Sequence, residues 1–233
     1  MSRRPYITCL MMTSLDGKIL SSKWGNDPTV LTLIHSFEEA HEKIGISAWI
    51  VGRTTMERDF TKGAAPVYKD DAGDVPPGDF VARTDATSFA IALDGHGRLG
   101  WKKAEMLGDH VISILTEGVP VSYLAHLRDI GVSYIIGGKH NIDLKTAMEK
   151  LYSLFGIEKL MLEGGGKING SFLNEGLIDE HNQLLLPMAD GSVDTSSVFE
   201  IEASVKKEGA TLFRLDSIKK LDNDVLWLKY LKK

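Results

Sequence analysis

The chain has 233 residues, 43% of them hydrophobic and 25% charged, the balance of a soluble globular protein with a sizeable core. A formal net charge of −5 speaks against nucleic-acid binding, which needs a basic face to neutralise phosphates. The single cysteine, Cys9, cannot form an intrachain disulfide, and no apolar run approaches the roughly 20 residues that span a bilayer, so a soluble cytoplasmic protein is expected.

Taken in chain order, apolar runs and helical periodicity alternate. A strand is predicted over 6–12, a helix over 31–44, a strand over 48–51 and a helix over 54–60. Strands follow over 89–93 and 111–115, then a helix over 121–130, a strand over 133–136, a helix over 144–155, a strand over 159–162 and a helix over 167–175. Gly45, Gly63, Gly131, Gly156 and Gly176 stand where helices should stop. Beyond Asp179 the apolar runs 183–187, 211–215 and 225–231 are separated by polar turns, which predicts antiparallel strands at one edge of the sheet. The expected fold is therefore α/β: a single domain over 1–233, with a mostly parallel mixed sheet flanked by helices and antiparallel C-terminal strands. Residues 61–87, rich in Gly, Pro and Asp, exceed the roughly 12 to 15 residues usual for a structureless connection and are read as a loop insertion, either a lid or a mobile surface excursion.

Three stretches carry chemistry. Glu163-Gly164-Gly165-Gly166-Lys167-Ile168 lies between a strand and a helix, where glycines let backbone N–H groups approach an anion and the helix dipole favours it. Its spacing is neither that of a Rossmann fingerprint nor that of a Walker loop, and a plain tight turn also accounts for it. Gly52-Arg53-Thr54-Thr55 again follows a strand and opens a helix, placing a guanidinium, two hydroxyls and free N–H groups at one point. Read alone, Thr54 is an ordinary helix cap and Arg53 a solvated cation. Asp16-Gly17-Lys18 sets a carboxylate and an ammonium either side of a glycine where the first strand ends, though Asp-Gly is also a common turn pair.

Together the stretches resemble the dihydrofolate reductase-like superfamily. The 51–57 segment is similar to the Gly-Arg-x-Thr segment of dihydrofolate reductases, and 163–173 to their triple-glycine NADPH loop. Ser14-Leu15-Asp16-Gly17-Lys18, Ala92-Leu93-Asp94 with Arg98-Leu99, Glu163-Gly164-Gly165 and Gly176-Leu177-Ile178-Asp179-Glu180 are more like the pyrimidine reductase domain of riboflavin biosynthesis, in the same order along nearly the whole chain. The resemblance implies an NADPH-dependent oxidoreductase that reduces a ribosylaminopyrimidine phosphate at the ribose C1′. It implies that Gly52, Arg53, Thr54 and Thr55 serve the cofactor phosphates, that Gly164, Gly165, Gly166, Lys167 and Ile168 cradle the pyrophosphate, and that Thr116 borders the adenosine. Asp16, Lys18 and Glu163 are its implied catalytic residues, and a homodimer its implied assembly. Asp59-Phe60-Thr61-Lys62-Gly63 departs from the Asp-Pro-x-Leu-x-x-Arg-like stretch usual in this branch. Two alternatives stand beside this reading: a reductase of a pterin, folate or other small carbonyl or imine, and an NADPH-binding protein without turnover.

No metal site is expected. His35 and His41, with Glu38 and Glu42, lack the i, i+4 spacing of a helical zinc pair and read as a solvated polar face. Trp24, in a turn-like run, is either a loop anchor or a stacking platform for a pyrimidine.

Overall fold

The computed structural model describes residues 3–233. In chain order its main elements are β1 (Tyr6–Thr13), α1 (Pro28–Ile44), β2 (Ala48–Gly52), α2 (Arg53–Thr55) running on into one π turn (Met56–Phe60), β3 (Phe89–Leu93), β4 (Glu105–Met106) and β5 (Asp109–Leu115). They continue with α3 (Val121–Asp129), β6 (Ser133–Ile136), α4 (Leu144–Phe155), β7 (Lys159–Leu162), α5 (Gly166–Asn174), β8 (Glu180–Leu185), β9 (Phe213–Lys220) and β10 (Leu226–Lys232).

Each predicted helix stop is a glycine in the left-handed region: φ is 65° at Gly45, 70° at Gly63, 73° at Gly131, 66° at Gly156 and 67° at Gly176. Starts are equally local. Asp27 accepts the Thr29 N–H at 2.8 Å to cap α1, and Asp143 accepts those of Lys145 and Thr146 at 2.9 and 3.2 Å to cap α4.

The chain folds into two compact units, Met1–Pro5 with Ser47–Leu160, and Tyr6–Ile46 with Met161–Lys233. In the first, β2, β3, β5 and β6 run parallel in neighbouring pairs, and the short β4 pairs antiparallel with the start of β5. The strands read as nearly continuous apolar runs because helices cover them: Ile50, Ile91, Ile112 and Ile114 are wholly buried, with Tyr123 of α3 and Leu151 of α4. The long 61–87 connection is docked on this unit. Phe80 exchanges backbone hydrogen bonds with Tyr134 of β6 at 2.8 and 2.9 Å, and Asp79 Oδ1 accepts the Ile136 N–H at 2.7 Å and Lys150 Nζ at 3.0 Å. The Arg128 guanidinium sits 4.3 Å from the Phe80 ring centroid. These contacts satisfy backbone groups that an edge strand otherwise leaves bare.

In the second unit the strand order is β1-β8-β10-β9. The sequence reading expects every strand after Asp179 to be antiparallel. β8 instead runs parallel to β1, because α5 carries the chain from the end of β7 back to the start of β8 as a crossover helix. β10 and β9 are antiparallel, as expected. The last strand is not the edge. β10 is paired on both sides, and the exposed edge is β9.

Candidate active site

In each unit taken by itself, candidate residues lie at the carboxyl ends of parallel strands, where an α/β sheet leaves helix N-termini and loop backbones facing outward. In the first unit, β2 ends at Gly52, which is the N-cap of α2 and offers no side-chain cap to the Arg53–Thr55 turn. Arg53 Nη1 donates to Glu57 Oε2, one helical turn on, and both side chains are about one-third exposed. Thr54 is exposed and Thr55 half-buried. The helix then widens into the π turn, with the Thr61 N–H reaching back five residues to Met56 O at 2.9 Å.

Asp94, at the end of β3, is fully buried, and its Oδ2 accepts the N–H groups of Arg98 and Leu99 at 2.7 and 2.8 Å. Burial pushes this carboxyl up, opposed by those two N–H groups and by the Arg53 charge. Thr116, at the end of β5, donates through Oγ1 to Gly95 O at 2.6 Å. Its hydroxyl thus ties two strand ends together.

In the second unit, β1 ends in a turn. Gly17, with φ 78°, donates its N–H to Ser14 O at 3.0 Å, a conformation that a side chain at that position would strain. Asp16 faces back over the turn. Its Oδ1 accepts Ser14 Oγ at 2.7 Å and the Asp190 N–H at 3.0 Å, and its Oδ2 accepts the Gly191 N–H at 2.9 Å. The Ser14 hydroxyl first, then the two backbone donors, hold this carboxyl well below the usual carboxylate range. A group so stabilised is ionised at neutral pH and has no proton to deliver; its geometry is that of a clamp. Lys18, half-buried, donates its backbone N–H to Ser14 Oγ at 3.0 Å and forms an isolated bridge with Ser197.

That bridge belongs to a strap that sequence reasoning treats as a polar turn. Residues 186–212 cross the unit, held by Leu15 N–H to Met188 O at 2.7 Å, Trp24 Nε1 to Asp190 Oδ2 at 2.9 Å, and Ile19 N–H to Ser196 O at 3.2 Å. Trp24 is therefore a loop anchor. On its other side the strap meets α5: the Glu200 N–H donates to Gly166 O at 3.0 Å, and Asn169 Nδ2 to Val198 O at 3.0 Å. A Cβ on Gly166 would stand 2.3 Å from Ser197 O, and one on Gly170 2.1 Å from Glu200 O. Ser197 thereby joins the Asp16–Lys18 turn to the glycine loop. The signal available in the sequence was the Gly166/Gly170 pair, one helical turn apart, which marks a close backbone approach.

The three glycines of the loop thus do different things. Gly164 has φ 89° and its missing Cβ leaves room for Met11 Sδ. Gly165 is half-buried and is the N-cap of α5, with no side-chain cap on the first-turn N–H groups. Gly166 is taken up by the strap. Lys167 is exposed, its Nζ 3.9 Å from Glu202, and Ile168 is buried.

Glu163 closes β7 just before this loop. Its side chain is 10% exposed, and Oε1 lies 2.6 Å from His41 Nδ1 on α1. The sequence reading assigns His41 to a solvated polar face, which holds for the exposed His35, Glu38 and Glu42. It fails for His41, which follows the buried Leu33, Ser36 and Ala40 around the helix onto the packed side. Cys9 lies close enough to feel the Glu163 charge; burial, then that charge, push its thiol up, so it is a core residue and no nucleophile. Among the described residues no group of three His, Cys, Asp or Glu is arranged to hold a metal, and no helix is long and apolar enough to cross a membrane.

The sequence model of the RibD C-terminal domain matches residues 5–227. The chain belongs to this family. A curated relative, the 2,5-diamino-6-ribosylamino-4(3H)-pyrimidinone 5′-phosphate reductase of Methanothermobacter thermautotrophicus, is 28% identical over 224 residues, 96% of each chain. Among solved structures, a pyrimidine reductase-like protein from Corynebacterium diphtheriae superposes with a TM-score of 0.64 at 18% identity, covering 98% of this chain and 92% of that one. Acinetobacter baumannii RibD superposes with a TM-score of 0.63 at 20% identity over 99% of this chain, which spans 58% of that longer protein. These likenesses place the fold with the RibD C-terminal domain, as the order of motifs along the sequence implied.

Proposed function

We propose that this RibD-family chain reduces a ribosylaminopyrimidine 5′-phosphate, the substrate in the name of its 28%-identical relative, and that NADPH is the reductant. The observation that carries the reading is the pairing of Glu163, a nearly buried carboxylate held at the end of β7, with the uncapped N-terminus of α5 two residues on. An uncapped helix start beside a glycine with no Cβ fits a phosphate oxygen, and in the other unit the uncapped turn at Gly52–Arg53 offers a guanidinium of its own. Each by itself suits a phosphate of a dinucleotide: Gly164, Gly165 and the first-turn N–H groups of α5, up to Lys167 and Ile168, would hold the pyrophosphate, and Arg53, Thr54 and Thr55 the 2′-phosphate. NADPH, when bound, supplies the hydride.

The chain's own residues handle the rest. In the ring-opened substrate, the C1′=N bond becomes a single bond as hydride adds at C1′, and the nitrogen takes one proton. Glu163 is the carboxylate placed to hold a water that brings that proton, while Asp16 is engaged as a clamp by the strap backbone. Lys18 would hold the substrate, its position set by the Asp16 turn and the Ser197 bridge.

The protein is read as cytoplasmic, where a lone buried cysteine needs no oxidising compartment. It is also read as a homodimer. The exposed edge strand β9 carries Leu215 and Ile218 at 44% and 57% exposure, and a register shift sets them opposite Tyr230 and Leu228, alternate residues on one face of β10. Such an apolar edge invites a second copy.

The test is loss of NADPH absorbance with the ribosylaminopyrimidine phosphate, dihydrofolate and a simple aldehyde offered separately. Turnover of the pyrimidine alone is expected. Turnover of only the folate or the aldehyde, or NADPH binding with no turnover of any of them, replaces the reading with the corresponding alternative.

A further inference from the structure

We infer that His41 is a positioning residue for Glu163, fixing one oxygen of that carboxylate so that the other is presented to the reacting substrate. The inference rests on the reading of Glu163 as the carboxylate that faces the substrate. The contact itself joins α1 to the end of β7, 122 residues apart: His41 Nδ1 to Glu163 Oε1 at 2.6 Å, the short separation of a charge-assisted hydrogen bond.

Each partner sits on a rigid support. α1 is capped at its start by Asp27 and stopped by the left-handed Gly45, whose N–H bonds to His41 O at 3.0 Å. The imidazole thus stands in the capped last turn of the helix. On the other side, Glu163 precedes Gly164, whose φ of 89° and lack of room for a side chain beside Met11 fix a glycine at that turn. A glutamate has three side-chain torsions, and ordering them costs free energy that an unheld carboxylate would have to find at each turnover. The imidazole bond removes that freedom in advance and accounts for only one of the two oxygens.

The arrangement also explains a histidine that the helix periodicity leaves without a purpose. A residue on the packed side of α1, with Leu33, Ser36 and Ala40 buried around it, would more simply be apolar. His41 keeps a ring there that is 33% exposed and points its Nδ1 at the one carboxylate of the glycine loop.

The test is a cycle of four proteins, the parent, Glu163→Gln, His41→Leu and the double variant, with kcat and KM measured for the pyrimidine and NADPH binding followed by fluorescence. Glu163→Gln is expected to lower kcat by about 10²- to 10⁴-fold. His41→Leu should lower kcat by roughly 10- to 100-fold through misplacement of the carboxylate, with NADPH affinity unchanged. In the Glu163→Gln background the same leucine should do almost nothing further. His41→Asn, whose amide nitrogen falls near the position of Nδ1, should recover most of the loss. His41→Gln, which keeps a polar side chain but carries its amide near the position of Nε2, should not recover it, and it takes the place of the leucine variant if that one fails to fold. Parental kcat in His41→Leu alongside an impaired Glu163→Gln overturns the positioning role and leaves the functional reading intact, and so do fully additive losses in the double variant. Parental kcat in Glu163→Gln removes the functional reading of that carboxylate itself.

Discussion

Asp16 Oδ2 accepts the backbone N–H of Gly191 at 2.9 Å, closing a bond between residues 175 positions apart in the chain. With the Asp190 N–H on Oδ1, it ties the strap to the turn after β1, and this clamp sets where Lys18 and Ser197 meet.

Asp16→Asn should therefore act on stability first. The amide keeps one acceptor and turns a donor toward a backbone N–H, so a lower Tm is expected at pH 7. The folded carboxyl titrates below its ordinary value, so its stabilising contribution is present above the unfolded pKa of about 3.9 and fades as pH falls below it. Parent and variant should converge in Tm toward acid pH. Melting curves from pH 7 down to pH 3 check this, and a constant offset across that range contradicts it.

The glycines of the loop should separate by role. Gly166→Ala and Gly170→Ala drive a methyl into strap carbonyls 2.3 and 2.1 Å away, and overpacking of that kind typically costs about 1–3 kcal/mol. Gly165, with φ −41°, lies outside the left-handed region that favours glycine. Gly165→Asp should stay folded and bind NADPH more weakly, because a carboxylate would stand beside the phosphates. Urea unfolding and NADPH titration on the three variants separate packing from binding.

Arg53→Ala should reduce the preference for NADPH over NADH by one to two orders of magnitude, since a charge-assisted phosphate contact contributes roughly 1.5–3 kcal/mol. Glu57 holds the same guanidinium, so Glu57→Gln should move the preference the other way. The ratio of kcat/KM for the two cofactors is the measurement. An unchanged ratio in Arg53→Ala places the 2′-phosphate elsewhere.

Asp94→Ala leaves the Arg98 and Leu99 N–H groups without their acceptor in a buried turn. A loss of about 1–3 kcal/mol in chemical unfolding is expected, the usual penalty of an unsatisfied buried donor.

If β9 is the dimer edge, Ile218→Lys should yield a monomer by light scattering at micromolar concentration while leaving the secondary structure unchanged. A monomeric parent, or a dimer that persists in the variant, contradicts the use of this edge.

What the sequence determined by itself was everything written in a short window. Helix and strand periods, the Asp143 cap and the left-handed glycines at 45, 63, 131, 156 and 176 depend on neighbours a few residues away, and the predicted boundaries follow the observed elements closely up to α5. The strand-to-helix glycine loop and the Gly52–Thr55 turn were legible for the same reason. The tertiary structure alone decided which partners those elements meet. It set β8 parallel to β1, paired β10 between β8 and β9, docked residues 61–87 on β6, turned Gly166 into a packing glycine and Asp16 into a clamp, and brought His41 to Glu163. Hydrogen bonds that join positions 122 and 174 residues apart leave no mark in local periodicity, because each partner's local pattern serves its own helix, turn or strand.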